Sequence, residues 1–205
     1  MQDRLTGRTL VIATGHALSL ALGEDGRLLA EHHERIGLGH AEALMPALTA
    51  LLAPFGGRAA GVAHIIVETG PGSFTGLRIG HAAATALALA WGADLSGVRS
   101  TLLVAAQARQ SGADGLLGVA LAAPRGQLWC ERFHLPALSS RGAPIALLAP
   151  AAADWLAGAP AAGSGAPGQM LAAEPRAACA LGLSPALFDP PIPLYVRQQD
   201  ASAVA

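Results

Sequence analysis

Residues 64–80 read HIIVETGPGSFTGLRIG, and this stretch decides the fold. Its first five residues form a largely apolar run that predicts a strand buried on both faces. A glycine-rich turn follows, and Leu77–Trp91 then predicts a long helix that ends at Gly92. We name the turn the signature loop; it consists of Gly70, Pro71, Gly72, Ser73, Phe74, Thr75 and Gly76. A helix N-terminus in this position attracts phosphate, so the loop is a candidate binding site.

The signature loop departs from the common catalytic loops. A Walker loop needs a lysine where Leu77 stands, and the dinucleotide-binding fingerprint needs a third glycine where Thr75 stands. A nucleophile elbow needs glycines two residues on either side of its serine, and Ser73 has Pro71 and Thr75 there. A structural role explains the same residues, because Ser73 or Thr75 would cap the helix and the proline would stiffen the turn.

The residues before this stretch predict an antiparallel meander followed by a helix. Three segments have the alternating or continuously apolar pattern of strands, namely Thr9–Ala13, Ala17–Leu22 and Arg27–Glu34. The hydrophobic pattern then changes to a helical period over Gly39–Pro54. The order β-β-β-α-β-α favours the ribonuclease-H-like half of the actin-like folds over a Rossmann unit, which would begin β-α-β. The predicted fold class is therefore α/β, with mixed sheets flanked by helices.

The residues after the long helix predict a second, smaller domain. Thr101–Gln110 indicates a helix, while Leu116–Ala123 and Gln127–His134 indicate two strands joined by a tight turn. Leu156–Gln169 is rich in Ala, Gly, Pro and Ser and predicts a loop. We predict an N-terminal, partner-binding domain over residues 1–105 and a divergent domain over residues 106–205.

Composition excludes several functions. The 205 residues carry a net charge of −1, and all thirteen basic residues are arginines, which excludes a phosphate-loop lysine and Schiff-base chemistry. The arginines form no basic run, so any RNA partner is expected to be shared with another subunit. Cys130 and Cys179 cannot build a disulfide framework, and the first residues do not resemble a signal peptide. We therefore expect a soluble cytoplasmic protein without a membrane span.

The string from Gly70 to Gly80 closely resembles the signature of the TsaB (YeaZ) family of bacterial tRNA threonylcarbamoyladenosine biosynthesis. The resemblance extends over nearly the whole chain and is strongest over residues 64–105, while residues 136–190 carry little of it. Besides the signature loop, the residues that carry the resemblance are His40, Leu44 and Pro46, the stretch 98–102 (VRSTL), the stretch 125–129 (RGQLW) and the stretch 193–197 (PLYVR).

This resemblance implies an actin-like ASKHA fold of two subdomains. It also implies a non-catalytic subunit that binds and supports the related catalytic subunit TsaD. With the ATPase TsaE, that complex transfers threonylcarbamoyl to the N6 of the adenosine beside the anticodon. The chain would then contact tRNA only indirectly, through the complex, and would need no cofactor of its own.

Two departures from the family pattern bear on catalysis. The stretch that is usually Asp-Thr-Ser at the end of the first strand is Ala13-Thr14-Gly15, and the second acidic position falls in the stretch 121–124, LAAP. Without these carboxylates a metal-bound nucleotide loses its anchor, so we expect no catalytic residue and no metal. A free-standing ASKHA-type ATPase or kinase, or a peptidase-like enzyme, is the alternative.

Helix composition suggests where a partner binds. The predicted long helix has only two charged or titratable side chains, Arg78 and His81, and its other residues are mostly Ala, Leu and Thr. The preceding helix has one charged residue, Glu42. These faces pack on each other or on another chain, either TsaD or a second copy. The interface candidates are His40, Leu44, Met45, Leu48, Arg78, Gly80, Ala83, Ala84 and Leu87. Glu68 and Arg78 form either a polar cluster at the loop or an internal salt bridge.

Overall fold

The computed structural model describes residues 5–37, 39–57, 61–166, 171 and 173–196. The chain divides into two compact units. The first contains the residues up to Leu103 together with Pro175–Leu194, and the second contains Val104–Glu174 together with the described residues after Leu194.

The first unit is built on a mixed five-stranded sheet in the order β3-β2-β1-β4-β5. The first three strands form the predicted antiparallel meander, and β4 and β5 run parallel to β1. This is the ribonuclease-H-like strand order, and it confirms the predicted α/β fold of the actin-like type. The strands are β1 (Arg8–Ala13), β2 (Leu18–Glu24), β3 (Arg27–Glu34), β4 (Val62–Gly70) and β5 (Asp94–Arg99).

Two helices cover one face of this sheet. They are α1 (His40–Leu52) and α2 (Phe74–Trp91), and their buried leucines and alanines form one core with the apolar side chains of β1, β2 and β4. Burying this apolar surface is the main source of stability for such a layer. A third helix, α3 (Ser100–Gln110), follows β5 directly.

A late segment of the chain returns to the first unit. Pro175–Leu194 belongs to that unit by its contacts, although the sequence-based division at residue 105 assigns it to the second domain. Asp189 exchanges backbone hydrogen bonds of 2.7 and 2.9 Å with Gly97, and the amide of Leu194 donates to the carbonyl of Thr69 at 2.7 Å. The bonds to Gly97 lie on the free edge of β5, and the bond to Thr69 lies near the end of β4. The division into a partner-binding and a divergent domain stays a prediction.

The second unit contains a separate small sheet. Its strands β6 and β7 pair antiparallel across the tight turn Pro124–Gly126, as predicted. Two residues of the predicted loop 156–169 instead form a short strand parallel to β6, and Gln169 lies outside the described residues, as does Arg197 of the C-terminal motif. The elements are β6 (Gly115–Ala122), β7 (Gln127–Leu135), β8 (Ser139–Ser140), β9 (Ile145–Leu148), α4 (Ala149–Leu156) and β10 (Ala161–Ala162).

Candidate functional site

The signature loop connects β4 to α2 in the first unit. Ser73 is the N-cap of α2, and its hydroxyl accepts a 3.2 Å hydrogen bond from the amide of Gly76. The cap explains why α2 begins at Phe74, three residues before the predicted start. Gly70 has a φ of 107°, a conformation that favours glycine. The loop is thus folded by local turn and cap chemistry, as the structural interpretation of the sequence predicts.

The loop rests on the turn between β1 and β2, residues 14–16, which we name the β1–β2 turn. The hydroxyl of Thr14 donates to the carbonyl of Gly76 at 2.8 Å, and the amide of Ser73 donates to the carbonyl of Gly15 at 2.8 Å. A Cβ at Gly76 would collide with the Thr14 carbonyl, and a Cβ at Gly80 would collide with the Thr14 hydroxyl. Both glycines let α2 lie directly on the turn.

A ring nitrogen of His16 also joins the β1–β2 turn to the loop, because it lies 2.8 Å from the carbonyl of Pro71. A carbonyl only accepts hydrogen bonds, so this nitrogen is the donor. The turn therefore contacts the loop at Pro71, Ser73 and Gly76, which are three separate points along it.

Glu68 is a buried carboxylate beneath the loop, with 1% of its surface exposed. One of its oxygens accepts from the amide of Gly15 at 2.6 Å, and the other accepts from the hydroxyl of Ser100 at 2.6 Å. Charge-assisted bonds of this kind offset the cost of burying the carboxylate. Sequence reasoning missed both partners of Glu68, because they lie 53 and 32 residues away along the chain.

Arg78 takes no part in that cluster, so the internal salt bridge with Glu68 considered from the sequence is wrong. Arg78 is exposed, and its guanidinium lies 3.9 Å from the centre of the Phe74 ring. The two residues are four positions apart on α2, which places them on one side of the helix. Arg78 therefore belongs to the outer surface at the start of α2.

His81 is the second buried titratable group near the loop. Its Nε2 lies 3.1 Å from the carbonyl of Glu68 and donates a hydrogen bond to it. Burial lowers the pKa of His81 below its ordinary value of 6.5; the bond to the carbonyl and the negative charge of Glu68 oppose this shift without cancelling it. His81 is thus held neutral inside the fold at neutral pH.

The structure divides the nine interface candidates between the inside and the outside of the fold. Leu44, Leu48 and Ala84 lie in the core, each with 2% or less of its surface exposed, and Gly80 is buried against Thr14. The remaining five are reachable, because Met45 and Arg78 are exposed and His40, Ala83 and Leu87 are half-buried. An apolar residue on these helices does not by itself indicate an interface.

An apolar groove lies between α1 and α2 on their outer side. Its volume is about 430 Å³. We name this groove the α1–α2 face; Met45, one of its lining residues, is 49% exposed. The lining residues of the groove are Met45, Leu48, Thr49, Leu52, Gly57, Leu87 and Trp91. Sequence analysis named Met45, Leu48 and Leu87 but missed Thr49, Leu52, Gly57 and Trp91.

Neither of the two positions where the family pattern has a carboxylate holds one in this chain. Ala13 is buried at the end of β1, and residues 121–124, at the end of β6 and the start of the following turn, contain no carboxylate. Within the described ranges, no three His, Cys, Asp or Glu side chains lie close enough to hold a metal ion. The expectation of no metal and no cofactor stays a prediction. None of the helices in the part of the chain that the structure describes is long and apolar enough to cross a membrane.

Comparison with protein families and solved structures points to one group of proteins. Residues 32–133 match the family model of TsaD, described as tRNA N6-adenosine threonylcarbamoyltransferase. YeaZ from Pseudomonas aeruginosa superimposes with a TM-score of 0.77 and 25% sequence identity, over 93% of this chain and all of that one.

Two curated relatives carry the same name, tRNA threonylcarbamoyladenosine biosynthesis protein TsaB. The Bacillus subtilis protein is 33% identical over 57% of this chain and 50% of its own length. The Escherichia coli protein is 37% identical over 60% of this chain and 54% of its own length. The match thus spans about half the length of these relatives. Together the comparisons confirm the resemblance that the signature loop indicates: the chain is similar to the TsaB (YeaZ) proteins.

Proposed function

We propose that this chain is a non-catalytic scaffold subunit of the complex that makes tRNA N6-threonylcarbamoyladenosine. In this proposal it acts in the cytoplasm, binds and supports the catalytic subunit TsaD, and works with the ATPase TsaE. It meets tRNA only through the complex. The names of the Bacillus subtilis and Escherichia coli relatives support the pathway.

The α1–α2 face is the observation that carries the proposal. It is an apolar groove of about 430 Å³, and Met45, which lines it, is 49% exposed. Contiguous exposed apolar surface of this kind marks a protein interface more often than a monomer surface. Leu87 and Trp91 line one side of the groove and Met45 lines the other, so apolar side chains from a partner helix would fit between them.

The family match favours TsaD as the partner over a second copy. The stretch that matches the TsaD model, residues 32–133, contains both α1 and α2. Two chains that share a pair of helices can associate through the same pair, in the way that a two-fold dimer does. A homodimer uses the same geometry and is the resting state that we propose for the chain without TsaD.

The chemistry of the described side chains supports assigning catalysis to the partner. Ala13 cannot anchor a metal-bound nucleotide, which argues against the alternative of a free-standing ATPase or kinase. Burial raises the pKa of the Cys130 and Cys179 thiols to about 11, so neither is a thiolate nucleophile at neutral pH. This argues against a cysteine peptidase.

Reconstitution tests the proposal. TsaD and TsaE from the same organism, with tRNA, ATP and the threonylcarbamoyl donor, are assayed for modified adenosine with and without this chain. We expect modification only when the chain is present, and no ATP hydrolysis or tRNA binding by the chain alone. ATP turnover or tRNA modification by the isolated chain would overturn the scaffold role in favour of an enzyme.

A further inference from the structure

Glu68 connects three separate segments of the chain, and all the residues that it joins lie in the first unit. It lies near the end of β4, and its two carboxylate oxygens bind Gly15 in the β1–β2 turn and Ser100 at the start of α3. We propose that Glu68 is a positioning residue that sets the place of α2 through the β1–β2 turn, and that it thereby shapes the α1–α2 face. This inference rests on the proposed function for its consequence in binding.

The first link runs from Glu68 to the turn. The 2.6 Å bond from the Gly15 amide is charge-assisted and shielded from water. The fit is also close in space, because a Cβ at Gly15 would lie 3.0 Å from the same carboxylate oxygen. The turn therefore has little room to move while the carboxylate holds it.

The second link runs from the turn to α2. Thr14 binds the carbonyl of Gly76, and Gly15 accepts from the amide of Ser73, so two adjacent turn residues hold the first turn of the helix. Gly80, one helical turn later, lies against the Thr14 side chain. A shift of the β1–β2 turn must therefore move the start of α2 with it.

The third link is the helix itself. Leu87 and Trp91 line the groove, eleven and fifteen residues beyond Gly76. At about 1.5 Å rise per residue they lie roughly 16 to 22 Å along the axis. A small tilt at the first turn is therefore enlarged at the groove, because a helix moves as a rigid element. Glu68 acts on the face at this distance without touching a partner.

The test combines four single variants of the full chain. Glu68→Ala removes both carboxylate bonds, and Glu68→Gln keeps an acceptor for Gly15 and an amide that can donate to the Ser100 hydroxyl. Thr14→Val removes the hydroxyl bond of the second link with a side chain of the same shape. Ser100→Ala is the matched control, because it removes the bond to α3 and leaves the bond to Gly15 intact.

Amide hydrogen exchange over residues 73–81 reports how firmly the start of α2 is held, without any partner. We expect exchange there to become about tenfold faster in Glu68→Ala and Thr14→Val, since each loses a buried bond of this junction. Glu68→Gln is expected to restore the wild-type rate, and Ser100→Ala is expected to leave residues 73–81 unchanged. Should Glu68→Ala fail to fold, Thr14→Val against Ser100→Ala decides the question.

Affinity for TsaD is the second readout, and about tenfold weaker binding is expected in the same two variants. The inference is overturned if exchange over residues 73–81 is unaltered, if it rises equally throughout the first unit, or if Ser100→Ala reproduces the effect. Failure of the wild-type chain to bind TsaD would instead contradict the proposed function. Because the exchange measurement needs no partner, the two failures are distinguishable.

Discussion

The two sides of α2 are held in opposite ways. On the inner side, Gly76 and Gly80 lie directly on Thr14, and hydrogen bonds from Thr14 and His81 fix the helix in place. On the outer side, Leu87 and Trp91 line an apolar groove. The inner side of α2 makes directional hydrogen bonds and is closely packed, and the outer side has an apolar surface that is open to a partner.

This difference shows that substitutions on one helix can change the stability of the fold or the association with a partner, depending on which side of the helix they lie. Contacts on the inner side exist whenever the chain is folded, so changes there act on the free energy of unfolding. Surface on the outer side contributes little to folding while it stays in water, so changes there act on binding. Substitutions on the two sides are therefore expected to give different measurements, and the following predictions depend on that distinction.

The largest effect is expected on the inner side, from a charge at Ala84. This residue has 0% of its surface exposed and packs in the core of the first unit. Ala84→Asp buries an unpaired carboxylate and is expected to lower the free energy of unfolding by about 4 kcal/mol or more, measured by urea denaturation. Ala82→Asp, exposed on the same helix, is the control and is expected to change it by less than about 0.5 kcal/mol.

The sequence analysis placed Ala84 among the interface candidates, and this prediction separates the two possibilities. If Ala84→Asp keeps wild-type stability and loses only partner binding, the inner and outer sides of α2 have been assigned the wrong way round.

The next effect comes from filling the close contact at Gly76. Glycine to alanine inside a helix ordinarily stabilises it by up to about 1 kcal/mol. At Gly76 the sign is expected to reverse, because the new Cβ meets the backbone carbonyl of Thr14, which cannot move as a flexible side chain would. We expect Gly76→Ala to lower the free energy of unfolding by about 2 kcal/mol.

Gly37→Ala is the matched control in the same denaturation experiment. Gly37 has no atom within 4 Å of a Cβ, so this change is expected to be neutral or slightly stabilising. Equal responses of the two variants would show that Gly76 is not in close contact with the β1–β2 turn.

The strand, turn and helix of residues 64–91 could be predicted because their signals are local. An apolar run, a capping serine and glycine-rich turn chemistry act between neighbours along the chain. The close approach of α2 to Thr14 also left a signal, since Gly76 and Gly80 are four residues apart and so lie on one side of the helix.

Other features gave no local signal. Glu68 and Ser100 are brought together only by the pairing of β4 with β5, and no periodicity marks Pro175–Leu194 as part of the first unit. Both helices are apolar almost all round, so the sequence does not tell the buried Leu44 from the exposed Met45. Such distinctions come from tertiary packing alone.

A smaller effect, confined to binding, is expected on the outer side. Met45→Asp places a charge on the α1–α2 face at a residue that lines the groove and is 49% exposed. We expect about tenfold weaker binding to TsaD, measured by titration calorimetry, with the free energy of unfolding within about 1 kcal/mol of wild type.

Leu28→Asp is the control for Met45→Asp, because Leu28 is an apolar residue on β3 of the same unit and is likewise 49% exposed. It is expected to leave TsaD affinity unchanged. If both variants weaken binding equally, general surface charge rather than the α1–α2 face determines the affinity.

The smallest effect is the pH dependence that His81 adds to the inner side. Its pKa is lowered in the folded state by burial, so below its ordinary value of 6.5 the unfolded chain takes up a proton that the folded chain resists. Stability from the neutral histidine is therefore fully present above pH 6.5 and is lost as the pH falls towards the lowered pKa. One proton corresponds to a slope of at most about 1.4 kcal/mol per pH unit.

The variant His81→Gln tests this pH dependence, because it keeps a donor for the Glu68 carbonyl but does not titrate. Its free energy of unfolding is therefore expected to fall less steeply than that of the wild type between about pH 6.5 and pH 5. Parallel profiles for the two proteins would mean that His81 titrates as freely inside the fold as in the unfolded chain, and that the inner side of α2 is open to water at this point.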